Sequence, residues 1–253
     1  MPDFKQAGRL MQFASSLGQD TLIIDTLDGV EGLSRLFDFQ AELFADVATE
    51  IDPTSLVGTK VTIAIALLDV QGTRYINGLV AAFEQTSGED ELSAYRAHIV
   101  PSLWVLTLST NCRVFQDMNV MAIIKAVITP YGLSVKDTTK AAYKPLDYCT
   151  QYNETDFNFI SRLAEQFGIF YWFEHKNGDN TVAFGDDRSV YVPCPSVSKV
   201  QYSPQGSGKE DMYHSVVSDI RVWIVHELAV LVGQRCARPH PTCCLYVFRV
   251  ASQ

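Results

Sequence analysis

The residues best equipped for chemistry sit in 149-CTQYNETDFNFISRLAEQFGIFYWFE-174, where Glu154, Asp156, Glu165 and Glu174 share a short stretch with Arg162 and a run of aromatic rings. Two carboxylates can serve as general acid and general base, for instance on a glycosidic bond, if they flank the reacting atoms. Glu154 and Asp156 are two apart, and on a helix such residues do not face each other. Their place at a helix start has its own explanation, since the helix dipole favours negative charge in the first turn. Arg162 and Glu165, at i and i+3, read as a helix-surface ion pair. The acidic residues therefore read as helix-end electrostatics.

Other chemistry-bearing patterns are incomplete. The run 203-SPQGSGKE-210 approaches a phosphate loop, but Ser203 replaces the first Gly and Glu210 replaces the Ser/Thr that binds magnesium. His226-Glu227 begins a zinc-protease helix, yet Val230 occupies the place of the second His. Gly32-Leu33-Ser34 lacks the second Gly of a nucleophile elbow. Cys236, His240, Cys243 and Cys244 are the one group of metal-ligating types. Zinc prefers paired cysteines two to four residues apart, and the adjacent Cys243 and Cys244 do not easily chelate one tetrahedral ion. His98, His175 and His214 are scattered and read as surface or satisfied core histidines. No catalytic, metal or cofactor site is expected.

Composition narrows the partners. Within 253 residues, 20 Lys and Arg stand against 29 Asp and Glu, a net charge of -9 with no cluster of cations, so nucleic acid is excluded. A chain of this length, 47% hydrophobic and 19% charged, can form one large domain or two small ones. The opening MPDFKQAGRL has no basic segment leading into an apolar core, so no signal peptide is expected and synthesis is cytoplasmic. The most apolar runs, 61–68 and 222–232, fall short of the ~20 residues that span a bilayer, so no stable membrane insertion is expected. The six cysteines are expected as free thiols.

Most elements that must position these residues read as strands. Residues 21–26 are β-rich and end at Asp28-Gly29, a turn signal. Phe37, Phe39, Ala41 and Leu43 alternate with Asp38, Gln40 and Glu42, the period of a half-buried strand. Segments 60–68 and 74–85 flank Gln71-Gly72 as a hairpin, and 95–108 is further strand-like sequence around Pro101. Two segments break the rhythm. Val120, Ile123, Ile124, Val127 and Ile128 form an apolar helical stripe, with Asp117 or Asn119 as cap and Pro130 closing it. Asn153 can cap a second helix whose buried face is Phe157, Ile160, Leu163, Ala164 and Phe167, with Gly168 as its left-handed stop. An aromatic strand over 169–174 follows, turned by Asn177-Gly178. The aromatic density of Phe170, Tyr171, Trp172 and Phe173 reads as core plus subunit contact, because successive strand residues point to opposite faces.

Residues 221–253 differ in kind. They hold no Lys or Asp, one Glu, four Arg, three of the six Cys and two of the five His, and net charge changes from -12 over 1–220 to +3.

The run Gln151-Tyr152-Asn153-Glu154-Thr155-Asp156-Phe157-Asn158-Phe159-Ile160-Ser161-Arg162-Leu163, followed by Glu165, Gly168-Ile169 and Tyr171, closely resembles the signature of VgrG proteins. These are the spike proteins of bacterial type VI secretion systems. Ser34-Arg35-Leu36-Phe37-Asp38-Phe39, Leu56-Val57-Gly58, Pro101-Ser102-Leu103-Trp104 and Phe115-Gln116 resemble further family landmarks in their usual order.

The resemblance implies an α+β fold, predominantly β, with barrel-like antiparallel sheets and at least two flanking helices, as in phage tail hubs. It implies a first barrel-like hub domain at 1–110 and a second at 111–190 containing the helix–strand–hairpin unit. Return strands follow at 191–222, then an atypical tail at 223–253. It further implies a homotrimer that seats on the haemolysin-coregulated tube protein, meets baseplate components, supports effectors and is potentially secreted with the machine. In that family the region is structural, so Tyr152, Asn153, Glu154, Asp156, Phe157, Phe159, Arg162, Leu163, Glu165, Gly168 and Tyr171 are expected to be structural. A phage tail hub or late control protein, and a cell-wall hydrolase using Glu154 and Asp156, remain open alternatives. Family members continue into a further β domain and a needle, whereas here the likeness fades after Val222, where the charge changes. Residues from Trp223 onward are therefore expected to be a shifted reading frame ended by an early stop, with a divergent extension as the alternative.

Overall fold

The computed structural model describes residues 5–67, 72–89, 92–191, 201–202, 216–217 and 245–251. Strands dominate. β1 (Met11–Ala14), β2 (Ile23–Gly32), β3 (Asp38–Asp46), β4 (Lys60–Leu67), β5 (Gly72–Glu89) and β6 (Leu92–Val100) join β14 (Leu245–Ala251) in a seven-stranded sheet of order β1-β4-β5-β6-β3-β2-β14. Every pairing in it is antiparallel. The sheet curls into a half-barrel. Register shifts at Val80/Ala82 and Gln85/Ser87 interrupt the 18-residue β5, and such bulges bend a strand. Inside the curl, alternate residues make one core: Phe39, Ala41 and Leu43 of β3, Ile63 of β4, Ile76 of β5 and Ala97 and Ile99 of β6 are all essentially inaccessible.

The alternation of Phe39, Ala41 and Leu43 with polar neighbours thus builds β3 as expected, and 60–67 pairs with 72–79 as a hairpin. Two expectations in this region give way. Asp28-Gly29 does not turn the chain but lies inside β2. The Phe39 ring covers Gly29 so closely that a Cβ there would sit 1.9 Å from it. The glycine makes room for a ring, and the chain bends later, where Ser34 has φ +53°. Residues Ser102–Thr107 form a 3-10 helix in place of strand, started by the Trp104 amide bonding the Pro101 carbonyl at 2.8 Å.

A second group of elements follows. β7 (Thr110–Phe115) pairs antiparallel with β9 (Cys149–Thr155) as a two-stranded ribbon. Helices α1 (Val120–Ile128) and α2 (Asp156–Gln166) pack beside a sheet of order β10-β11-β8, built from β8 (Val135–Asp137), β10 (Phe170–Lys176) and β11 (Asp179–Gly185). α1 buries the expected Val120, Ile123, Ile124, Val127 and Ile128, and the Asn119 side chain caps it through the Ala122 amide at 2.8 Å. Those residues meet Phe159, Ile160, Leu163 and Ala164 of α2 in a second core, which also takes in Leu103 and Leu106. Asn177-Gly178 turns the β10–β11 hairpin, with Lys176 opposite Asp179 and Gly178 at φ +79°.

Phe173 of β10 packs against both cores, and its ring meets Phe37 edge-on at 5.1 Å. A polar junction lies beside it. His175 Nδ1 accepts the Asn77 amide of β5 at 3.0 Å, Asn77 Nδ2 donates to the Lys176 carbonyl, and Asn180 Nδ2 donates to the Asn77 carbonyl at 3.2 Å. Further on, the backbone of β12 (Gln201–Tyr202) pairs in parallel with that of β13 (Val216–Val217). The phosphate-loop-like run at 203–210, His214, His226-Glu227, the Cys236–His240–Cys243–Cys244 group and most of 223–253 lie outside the described residues. Within that tail, the backbone of β14 pairs with β2 from Leu245 opposite Gly32 to Ala251 opposite Thr26.

Candidate functional site

The densest polar constellation gathers behind the β7–β9 ribbon, on the carboxylate of Asp156. This side chain is fully buried at the first position of α2. Four donors converge on it: Gln151 Nε2 at 2.7 Å and Asn111 Nδ2 at 2.9 Å on Oδ1, and Arg113 Nη2 at 2.6 Å and the Tyr131 hydroxyl at 2.7 Å on Oδ2. Its own amide donates to the Ser109 carbonyl at 3.0 Å. Burial works against the charge, but the hydrogen bonds from Gln151, Tyr131, Asn111 and Arg113 outweigh it and hold the carboxyl below its ordinary pKa. A carboxylate so saturated is neither a free base nor, near neutrality, a proton donor. It ties β7, β9, α2 and the chain after α1 together.

This arrangement corrects the expected helix start. Thr155, rather than Asn153, caps α2, its hydroxyl accepting the Asn158 amide at 3.1 Å. Asn153 and Glu154 belong to β9. Asp156 does stand in the first turn as expected, and its side chain additionally points into the donor cluster. Glu154 does not face it. Glu154 instead accepts from Arg162 at 2.6 Å, so the expected Arg162–Glu165 surface pair is replaced by a strand-to-helix pair. Arg162 also reaches the Thr150 carbonyl at 3.4 Å and lies over the Phe159 ring at 5.5 Å. Glu165 is exposed, and its carbonyl receives the Gly168 amide at the helix end, where Gly168 is left-handed as expected, φ +68°.

The aromatic members divide. Phe159, absent from the expected buried face, is fully inaccessible and stacks on Phe115 at 5.6 Å. Phe157 and Phe167, expected in that face, are only partly buried. Leu163 and Tyr171 are core residues, and burial pushes the Tyr171 hydroxyl up to about 12. Tyr152 is 79% exposed. It stands at a bulge where Tyr152 and Asn153 oppose Cys112, with Asn153 at φ +48° and its amide on Cys112 Sγ.

Arg113, Asn111 and Tyr131 escaped sequence reasoning because they lie 43, 45 and 25 residues from Asp156, and no local period links them. The histidines separate as well. His98 is an outer-face partner of Asp38 at 2.8 Å. His175 sits in the core junction, but it is not fully satisfied: Nε2 is buried without a hydrogen-bond partner. Among the described residues, no group of three or more His, Cys, Asp or Glu could hold a metal ion, and no helix is long and apolar enough to cross a membrane.

Known proteins resemble this chain in overall sequence and fold. The type VI secretion system spike protein VgrG1b of Pseudomonas aeruginosa is 35% identical over 200 residues, covering 79% of this chain and 27% of that protein. VgrG1c of the same organism is 35% identical over 213 residues, covering 83% of this chain and 29% of its own length. The chain thus spans under a third of either relative. Among solved structures, the E. coli c3393 protein superposes with a TM-score of 0.65 at 22% identity, over 76% of this chain and 52% of that one. It is described as a component of the type VI secretion system with structural similarity to T4 bacteriophage tail proteins gp27 and gp5. At that identity the superposition speaks for the fold. The pattern of the phage tail baseplate hub family (GPD) matches residues 30–227, and on that match this chain belongs to the phage tail baseplate hub family.

Proposed function

We propose that this chain is a structural hub subunit of a type VI secretion spike, without catalytic activity, which forms a homotrimeric ring on the haemolysin-coregulated tube protein and meets baseplate components and effectors. The family match over residues 30–227 carries this reading. The state of Asp156 supports it, because all four donors around the carboxylate are spent on holding the second core to the ribbon. A hydrolase reading needs that group free to exchange protons with a substrate, and its surroundings oppose it. The signature from Tyr152 to Tyr171 acts in this reading as architecture. We divide the hub into units at 1–110 and 111–190, followed by return strands at 191–222 and a tail at 223–253. The two separate hydrophobic cores favour such a division. The same geometry would serve a phage tail hub, and the 35% identity to secretion spikes favours the secretion context.

The test is reconstitution of the chain with assembled tube protein. Sedimentation of the chain with the mass of three copies, and its appearance at tube ends by electron microscopy, are expected. A chain that remains monomeric at about 100 μM, far above typical working affinities, and ignores tubes overturns the reading.

A further inference from the structure

The two faces of the β7–β9 ribbon are occupied very differently. The inner face presents Asn111, Arg113 and Gln151 to Asp156, which clamps the ribbon from behind. The outward face presents Thr110, Cys112, Val114, Thr150 and Tyr152, all exposed. Tyr152 is 79% exposed and Val114 51%, with Tyr148 at 62% and Leu108 at 66% on the adjoining chain. Seven large hydrophobic residues are exposed among the described residues, and four of them lie on the ribbon or within two residues of its strands, Leu108 at one end and Tyr148 at the other. Tyr152 points outward by alternation from the inward Gln151, and a bulge with a left-handed Asn153 follows it. Among the described residues, neither β7 nor β9 pairs with any other strand.

We propose that this outward face is a contact surface for a second copy of the chain. The inference deepens the ring reading above and rests on it. Charge selects the occupant. The chain carries a net charge of -9, so two copies repel each other across most of their surfaces. The five outward residues of the ribbon carry no charge, which makes this a place where acidic copies can approach with a smaller like-charge penalty than elsewhere. A basic partner would be drawn to the acidic surface elsewhere, and it would gain nothing from this strip. Size agrees. Aromatic side chains bury roughly 150–250 Å² each, so Tyr148 and Tyr152 alone offer a large share of the ~800 Å² per partner that a stable contact needs. Rigidity agrees too, because a ribbon clamped by Asp156 has little left to order on binding.

Sedimentation velocity on the full chain tests this, comparing wild type with the double variant Val114→Asp/Tyr152→Asp and with Val47→Asp. Val47 is 56% exposed and directly follows β3, a strand of the seven-stranded sheet rather than of the ribbon. The expected result is association weakened about tenfold or more in the double variant, as for truncation of a central tyrosine, with Val47→Asp unchanged. Tyr152→Ala, a mild change at an exposed site, is the second variant if the charged pair fails to fold, and it is expected to weaken association in the same direction. An assembled wild type whose ribbon variants assemble equally overturns the surface and leaves the ring reading intact. Equal loss in Val47→Asp also overturns it, since added charge anywhere would then suffice. A wild type that never assembles removes the ring reading, and this inference with it.

Discussion

The Asp156 cluster, where a ribbon meets a helix, and the Asn77–His175–Asn180 junction, where two sheets meet, are both polar groups at joints of the fold, yet they are built on opposite terms. Asp156 is a charged acceptor whose four donors come from three elements, β7, β9 and the turn after α1, and Arg113 balances its charge. The junction is neutral. His175 Nδ1 accepts from Asn77, so the neutral ring carries its proton on Nε2, which is buried without a partner. In one cluster the titrating carboxylate is saturated, although Gln151 Oε1 beside it is buried without a partner, while in the other the titrating ring itself is left one bond short between the two cores. A saturated network costs most when a member is deleted, and an unsaturated one responds most when its protonation changes.

The largest expected effect comes from breaking the saturated cluster. Asp156→Asn keeps the shape but turns an NH2 group toward donors. Removing one member of a buried ion pair costs about 3–5 kcal/mol, and Arg113 retains enough exposure to turn toward water, which favours the lower end, about 3 kcal/mol. Urea unfolding of the variant measures it, and a loss below about 1 kcal/mol would mean that the network contributes little beyond its neutral hydrogen bonds. The same variant should lose acid sensitivity. The folded pKa of Asp156 is lowered, so its stabilisation is complete above the unfolded value and disappears as pH falls through the folded one.

The junction gives the next effect, through pH. Burial and the nearby Arg74 push His175 down to about 4. The unfolded chain takes up a proton at higher pH, near 6.5, so lowering the pH from 6.5 to 4 favours unfolding by up to about 3 kcal/mol. Below about 4 both states are protonated and the dependence ends. His175→Gln keeps an acceptor for Asn77 without titrating. Its melting temperature should therefore be flatter than that of wild type between pH 4 and 6.5, and identical slopes would remove His175 from the pH response.

The smallest effect sharpens the contrast with Asp156 from two residues away. Glu154 meets Arg162 at 2.6 Å, but Arg162 is about half exposed, and such pairs contribute roughly 0.2–1 kcal/mol. Glu154→Gln should shift the urea midpoint only slightly, and the shift should shrink further at 1 M salt. A salt-independent loss of the size seen for Asp156→Asn would show that the strand-to-helix pair belongs to the buried network.

Local chemistry made much of this legible in advance. The α1 stripe and its Asn119 cap, the β3 alternation, the Asn177-Gly178 turn and the Gly168 stop depend on residues within a few positions of each other, and periodicity reports them directly. The signature around Asp156 was legible as a family mark but not as geometry. Read locally, Asp156 is a helix-start carboxylate and Arg162 a partner for Glu165. In the folded chain Asp156 belongs to Arg113, Asn111, Gln151 and Tyr131, and Arg162 belongs to Glu154.

The amino-acid sequence by itself determined the strand-rich fold, the two helices and the acidic net charge, since all three follow from composition and short-range pattern. Only the tertiary structure decided that Gly29 serves the Phe39 ring rather than a turn, that Asp156 is sealed and Tyr152 bare, and that His175 is left one bond short. Each depends on which strand lies beside which. Partners as far as 103 residues apart meet only after non-local pairing has formed, and no periodicity within the chain records that pairing.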